Sequence, residues 1–111
     1  MVNKIEDFIN EQLSQNRVVL FMKGDKMMPL CGFSGRVVSI LKELKVPFKD
    51  INVLLDDDLR QGIKDYSNWP TIPQLYVDNS FIGGHDILVE MYKDNSLLEI
   101  FDDLKSVCKE E

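Results

Sequence analysis

Cysteine is scarce in this chain of 111 residues. The chain has two cysteines, Cys31 and Cys108, and they lie far apart in the sequence. This spacing excludes a disulfide framework and any zinc half-site built on a CxxC pair. We therefore expect a reducing intracellular compartment.

Positive charge and long apolar runs are also in short supply. Lysine and arginine number 13 against 19 acids, which gives a net charge of −6 and a pI near 4.7. Such a protein repels phosphate, so nucleic acid and membrane are not expected partners. Neither a membrane-spanning run nor a secretory signal occurs in the sequence. The expected location is mitochondrial or cytoplasmic, with any targeting sequence absent or trimmed.

Low-complexity tracts and linkers are absent from the sequence as well. The composition, 44% apolar and 29% charged, is that of an ordinary globular protein. Residues 1–111 are therefore predicted to form a single domain.

The hydrophobic periodicity switches between helical and strand spacing along the chain. It predicts helices over residues 3–13, 32–45, 56–69, 87–93 and 95–108, strands over 17–24 and 47–53, and a hairpin over 73–84. Asn3 and Asp86 are the expected N-caps of the first and fourth helices, and Asp78-Asn79 is the expected hairpin turn. Cys108 lies on the apolar stripe of the last helix, so it is expected in the core.

This order of elements is α-β-α-β-α-β-β-α-α. A β-α-β unit followed by a hairpin predicts an α/β fold with a mixed four-stranded sheet and about five helices on its two faces. Residues 17–24 are apolar almost without alternation, which is typical of a central strand. Cys31 follows the carboxyl end of that strand, where ligands bind in open α/β sheets.

Cys31 precedes the second predicted helix, where free backbone N–H groups and the helix dipole favour a thiolate. Lys23 can add a positive charge. The alternative is that Cys31 is a small buried hydrophobe, but Pro29 and Gly32 place it in a loop-to-helix junction. Ser34 stands where a CxxC redox motif has its second cysteine, so any sulfur chemistry needs a second sulfur from outside.

Four segments carry a resemblance to a known family. They are FMKG at 21–24, CGFS at 31–34, LRQGIKDYSNWPTIPQLYVD at 59–78 and GGHDILVEMY at 83–92. Together they resemble the monothiol glutaredoxins of the CGFS type, and they span almost the whole chain. The resemblance implies a thioredoxin-like (glutaredoxin) fold and a glutathione groove beside the active cysteine, which is Cys31 here.

The resemblance also implies roles for single residues of the groove. Lys23 and Arg60 would hold the glycyl carboxylate of glutathione. The backbone of Ile72 would pair with its cysteinyl part. His85 and Asp86 would hold the γ-glutamyl end.

Pro73 matches the cis-proline that lies opposite the active cysteine throughout the superfamily. A cis bond there would leave the backbone of Ile72 open to an extended ligand. The charges agree with this assignment, because an acidic protein needs local cations and a local acid to bind two carboxylates and one ammonium. Lys23, Arg60 and Asp86 can supply them. Alternatively, both cations are merely solvated and Asp86 merely caps a helix.

Two positions depart from the family pattern. His85 stands where many CGFS proteins have cysteine, which excludes an internal disulfide between that position and Cys31. Glutathione contact at this position is then expected through the backbone. The histidine is either an ordinary exposed residue or an iron ligand. Lys26 stands where relatives often have proline, and we expect it to loosen the loop before Cys31.

One well-placed thiolate leads to a hypothesis about function. A 2Fe-2S cluster usually has four thiolate ligands, and two chains with two glutathiones would supply them. We therefore expect Cys31 to ligate a 2Fe-2S cluster in a glutathione-ligated homodimer, which transfers the cluster to iron–sulfur acceptor proteins and serves redox homeostasis. The alternative is a glutathione-dependent oxidoreductase that deglutathionylates proteins, for which the resemblance implies weak activity at most. A third possibility is an adaptor that pairs with a BolA-like protein.

Overall fold

The computed structural model describes the backbone of residues 3–109 and the side chains of residues 3–103. The elements are α1 (Lys4–Gln15), β1 (Val18–Met22), α2 (Gly32–Glu43), β2 (Lys49–Asn52), α3 (Asp57–Ser67), β3 (Gln74–Val77), β4 (Ser80–Gly83), α4 (His85–Lys93) and α5 (Ser96–Lys109), with one 3-10 turn (Val53–Leu55) after β2. Apart from the 3-10 turn, this is the predicted order of elements. Within residues 3–109, none of the helices has the length and apolar character that crossing a bilayer requires.

The four strands form one mixed sheet in the order β2-β1-β3-β4. β1 pairs parallel with β2 and antiparallel with β3, and β3 continues antiparallel into β4. Every residue of β1 is buried. The α/β fold, the mixed sheet and the central position of the first strand are therefore confirmed.

Alternate residues of β1 contribute to two cores, one on each face of the sheet. Val18, Leu20 and Met22 pack with residues of α2, α4 and α5. Val19 and Phe21 pack with residues of α1 and α3 on the opposite face. Helices cover both faces, as predicted, and β1 runs through the middle with its carboxyl end pointing towards Cys31.

Local side-chain contacts explain where several elements begin and turn. The side chain of Asn3 accepts hydrogen bonds from the amides of residues 5 and 6, as expected of the N-cap of α1. Asp78 and Asn79 both have positive φ, 48° and 67°, which matches a tight hairpin turn. Leu97 and Phe101 are buried, as the stripe on the last helix predicts. The side chain of Cys108 lies outside the described residues.

Four predicted helix boundaries were wrong by two residues. α1 ends at Gln15 and not at residue 13, and α3 ends at Ser67 and not at residue 69. α2 ends at Glu43 and not at residue 45, because Lys45 adopts a left-handed conformation with φ 59° that interrupts the helix before the proline. α4 begins at His85, with Gly84 as its N-cap, so Asp86 does not cap it. Asp86 falls inside the first turn, where its carboxylate binds the neighbouring imidazole instead.

The cap of α3 offers a stability test, because this helix lies beside the candidate site. Asp56 accepts hydrogen bonds from the amides of Asp58 and Leu59 at 2.9 and 3.3 Å. Asp56→Ala should lower the free energy of unfolding by about 1 kcal/mol, measured by urea denaturation. Asp57→Ala removes the same charge from the first turn but leaves the cap intact, so it should cost about half as much or less. Equal losses in both variants would show that the cap contributes nothing beyond its charge.

Candidate functional site

Cys31 lies at the N-terminus of α2, directly after the loop that leaves β1. It occupies the N-cap position with an extended backbone, φ −145° and ψ 135°. The Ser34 amide, the Phe33 amide and the ammonium of Lys23 all stabilise the thiolate. Led by the Ser34 amide, they lower the pKa of the Cys31 thiol despite the opposing effect of partial burial. The predicted thiolate-favouring environment is therefore present.

Ser34 takes the position of a second cysteine and has a structural contact of its own. Its side chain is completely buried. Its hydroxyl oxygen accepts a hydrogen bond from the amide of Lys23 at 3.1 Å. A hydrogen bond between this hydroxyl and Cys31 also favours the thiolate. Ser34 thus joins the end of β1 to the first turn of α2.

A groove of about 410 Å³ opens beside the thiol, a volume typical of small-molecule sites. Among the predicted site residues, the ones that line it are Lys23, Cys31, Ile72, His85 and Asp86. The wall of the groove is therefore formed by residues from the end of β1, the start of α2, the segment before β3 and the start of α4.

The remaining wall of the groove comes from residues that were not predicted as ligand contacts. They are Phe33, Lys64, Trp69, Pro70, Thr71, Gly84 and Ile87. Trp69, the sole tryptophan, forms part of this wall. For the other residues, the sequence offers few signals, because their contribution depends on how three separate segments meet.

The cation on α3 differs from the one predicted. Arg60 is exposed and is not among the residues that line the groove, whereas Lys64 lines it. The two residues stand four positions apart on one helix, so they share a face, and this spacing is the signal that could have pointed to Lys64.

The segment before β3 presents an open backbone edge to the groove. The bond between Ile72 and Pro73 is cis, as predicted. Neither the amide nor the carbonyl of Ile72 makes a hydrogen bond with another residue of the described chain. This edge is thus available to an extended ligand. Pro73 itself does not line the groove.

His85 and Asp86 form a pair at the start of α4. The imidazole Nδ1 donates to Asp86 Oδ1 at 2.7 Å, which leaves Nε2 without a proton when the ring is neutral. The His85 side chain is only 20% exposed, so it is not the ordinary exposed histidine considered as one alternative. Its ring lies 4.8 Å from that of Phe33, between centroids. The starts of α2 and α4 therefore meet through these two rings.

Gly84 allows α4 to approach the wall of the groove closely. A Cβ at this position would lie 3.0 Å from Trp69 Nε1 and 3.3 Å from the carbonyl oxygen of Pro73. The Trp69 indole N–H is buried and has no hydrogen-bond partner within the described residues. A larger residue at position 84 would push these two segments apart and reshape the groove.

Lys26 does not loosen the loop before Cys31, so this expectation was wrong. Its amide donates to Asp50 Oδ2 at 2.8 Å, and its Nζ donates to the carbonyl of Phe48 at 2.7 Å. A lysine can therefore attach the loop to the edge of the sheet through contacts that proline lacks.

The comparisons with known proteins agree with this geometry. The family model for glutaredoxin matches residues 18–82. The chain belongs to the glutaredoxin family, in its monothiol branch. It is 50% identical to the Probable monothiol glutaredoxin 2 of Rickettsia typhi over 98% of both chains. Poplar GrxS14, solved in its reduced apo form, is 49% identical with a TM-score of 0.79 over 94% of both chains.

A more distant glutaredoxin shows the same fold. The buckwheat protein, solved as a complex with glutathione, has a TM-score of 0.79 at 19% identity, over 90% of this chain and 89% of its own. At this identity, the likeness supports the thioredoxin-like (glutaredoxin) architecture alone.

The contact between Ser34 and the thiolate yields a prediction for this monothiol glutaredoxin. Ser34→Ala removes a hydrogen bond to the thiolate, so the pKa of Cys31 should rise towards its ordinary value. The pH profile of Cys31 alkylation should then move to higher pH, because only the thiolate reacts. Ser39→Ala, on the exposed side of the same helix, is the matched control and should leave the profile unchanged. An unshifted profile for Ser34→Ala would show that the Ser34 hydroxyl does not affect the pKa of Cys31.

Proposed function

We propose that this monothiol glutaredoxin binds glutathione in the groove and holds a 2Fe-2S cluster as a glutathione-ligated homodimer. The observation that carries the proposal is a thiolate-favouring cysteine beside a groove of ligand size, with no second sulfur at Ser34. Within the described side chains Cys31 is the only cysteine, so its sulfur partners in this proposal come from outside the chain.

Glutathione fits the charges that surround the groove. Lys23 and Lys64 are the cations that line it, and they would hold the glycyl carboxylate. The free backbone edge of Ile72 would pair with the cysteinyl part, which places the ligand thiol beside Cys31. Arg60, which is exposed and lies outside the groove wall, would add a positive charge near this end.

The other end of the groove suits the γ-glutamyl part. The first amides of α4 are free to bind its carboxylate, because Gly84 caps the helix without a side chain. The exposed carboxylate of Asp86 would attract its ammonium group. His85 contributes to this end through its backbone and its ring.

The sole tryptophan allows this binding to be measured directly. Trp69 lines the groove, so its fluorescence should change on titration with glutathione. Lys64→Gln should weaken the affinity about tenfold through loss of a charge-assisted hydrogen bond. Arg60→Gln should weaken it less, because Arg60 stays outside the groove wall. Lys49→Gln, on the edge strand β2, is the control for lost charge. Unchanged affinity in Lys64→Gln would contradict the proposed carboxylate site.

The cluster would need ligands from outside this chain. Within the described side chains, no three histidine, cysteine or acidic groups come together as a metal site. Cys31 supplies one thiolate, and a glutathione thiolate beside it would supply a second. A second copy with its own glutathione completes four. Lys23 offsets part of the repulsion between the thiolates through its nearby positive charge.

A cluster held by two small-molecule thiolates is suited to transfer, because those ligands can dissociate. The proposed partners are therefore glutathione, a second copy of the chain and iron–sulfur acceptor proteins. A BolA-like protein could replace the second copy in a heterodimer. The setting of this proposal is a reducing compartment, mitochondrial or cytoplasmic, in which Cys31 stays a free thiol.

Anaerobic reconstitution with iron, sulfide and glutathione tests the cluster. The protein should turn brown and double its mass, as measured by absorption spectroscopy and native mass spectrometry. Cys31→Ser should abolish the colour, whereas Cys108→Ser should retain it. Omission of glutathione should also prevent stable assembly, since two of the four ligands are then missing.

The lowered pKa of Cys31 also favours a second function, glutathione-dependent thiol transfer. The Cys31 thiolate would attack the glutathionyl sulfur of a mixed disulfide and release the protein thiolate. A second glutathione thiolate would then attack the Cys31 mixed disulfide, forming glutathione disulfide and returning the Cys31 thiolate. A colourless monomer with brisk deglutathionylating activity would favour this function and overturn the carrier proposal.

A further inference from the structure

The loop between β1 and α2 gains little stability from apolar burial. Met27, Met28 and Leu30 are 85%, 67% and 62% exposed. A loop with so few buried side chains should open easily unless hydrogen bonds hold it. Because it leads directly into Cys31, the contacts that hold the loop also decide where the thiol lies.

The strongest of these contacts meet at Lys26. On one side, its amide binds Asp50 of β2 and its Nζ binds the carbonyl of Phe48, with the ammonium 4.6 Å from the centre of the Phe48 ring. On the other side, Lys42 Nζ of α2 donates to the carbonyl of Lys26 at 3.1 Å. We name these four residues the Lys26 clasp. The clasp connects the loop to β2 and to α2 at once.

The end of the loop next to Cys31 folds back on Gly24. Gly24 has φ +85°, and a Cβ there would lie 2.5 Å from the amide nitrogen of Leu30. The amide of Leu30 donates to the carbonyl of Lys23 at 3.0 Å, and that of Gly24 donates to Asn52 Oδ1 at 3.0 Å. The residue before Cys31 is therefore placed by the folded loop, and it can move only if the loop opens.

We propose that Lys26 is a positioning residue for Cys31, whose clasp keeps the loop closed and the cysteine in its N-cap geometry. In that geometry, the carbonyl of Cys31 accepts a hydrogen bond from the amide of Gly35 at 2.8 Å, and Cys31 lines the groove. An open loop would release Cys31 from its extended N-cap conformation and weaken this hydrogen bond. This inference rests on the proposed function only in taking Cys31 as the reacting thiol.

The variants chosen for the test leave the groove itself unchanged. Its charged and titratable groups are Lys23 and Cys31 beside β1 and α2, Lys64 on α3, and His85 and Asp86 on α4. None of them belongs to the Lys26 clasp. An effect of clasp variants on Cys31 must therefore arise from the loop or from charge at a distance.

Two clasp variants of opposite charge change separate these causes. Lys26→Gln removes a positive charge and Asp50→Ala removes a negative one, but both weaken the clasp. The amide of Gly35, which donates to the carbonyl of Cys31, should exchange its hydrogen faster in both variants if position decides. If charge alone decides, its base-catalysed exchange should slow in Lys26→Gln and quicken in Asp50→Ala. That second pattern would overturn the proposal.

Hydrogen exchange provides the structural readout for the same proteins. The amides of residues 25–30 should exchange about threefold to tenfold faster in both clasp variants, since each loses at least one hydrogen bond. Lys26→Arg keeps a cationic donor and should restore the protection of the loop amides and of the Gly35 amide. Lys4→Gln, at the start of α1 on the opposite face of the sheet, should change neither.

Each outcome has a defined meaning. Faster exchange in residues 25–30 with unchanged exchange at Gly35 would show a purely structural clasp and overturn the positioning role. Unchanged exchange in both variants would overturn the clasp itself. Glutathione binding by the wild-type protein, measured by Trp69 fluorescence, tests the proposed function separately.

Discussion

The hydrogen bond from the Lys23 amide to the Ser34 hydroxyl is the contact on which the site depends. It ties the end of the central strand to the first turn of α2 inside the protein, where Ser34 is completely buried. Because the turn is held there, the amides of Ser34 and Phe33 lower the pKa of the Cys31 thiol and favour the thiolate. Ser34, which stands in place of the second cysteine of a CxxC motif, thus also helps to stabilise the thiolate of Cys31.

Local charge decides what an acidic protein can attract. The chain carries a net charge of −6, so its general field repels an anion such as glutathione. The groove offsets this field with Lys23, with Lys64 and with the free amides at the start of α4. The exposed carboxylate of Asp86 gives the opposite end a negative group. This distribution of charge would orient a ligand with charges at both ends as well as bind it.

Much of the fold could be predicted from the sequence, because local chemistry sets it. The unbroken apolar run 18–22 predicts the buried strand, and the Asp78-Asn79 pair predicts the hairpin turn that the structure contains. The position of Cys31 before a helix likewise predicts its lowered pKa. The prediction failed at Asp86, where a residue that favours N-caps stands two positions inside the helix. N-cap propensity alone does not determine which of several neighbouring residues begins a helix.

The remaining features depend on residues that are distant in sequence. The Lys26 clasp needs β2 beside the loop, and the ring contact between Phe33 and His85 needs two helix starts to converge. Lys64 lines the groove and Arg60 does not, because the two residues lie one turn apart on the same face of α3 and the turn with Lys64 is the one beside the groove. The sequence by itself determined the family, the order of elements and the placing of the Cys31 thiol before a helix without a CxxC partner, since these follow from local patterns. Only the tertiary structure decided which side chains surround that thiol, because their approach is set by the packing of helices on a shared sheet.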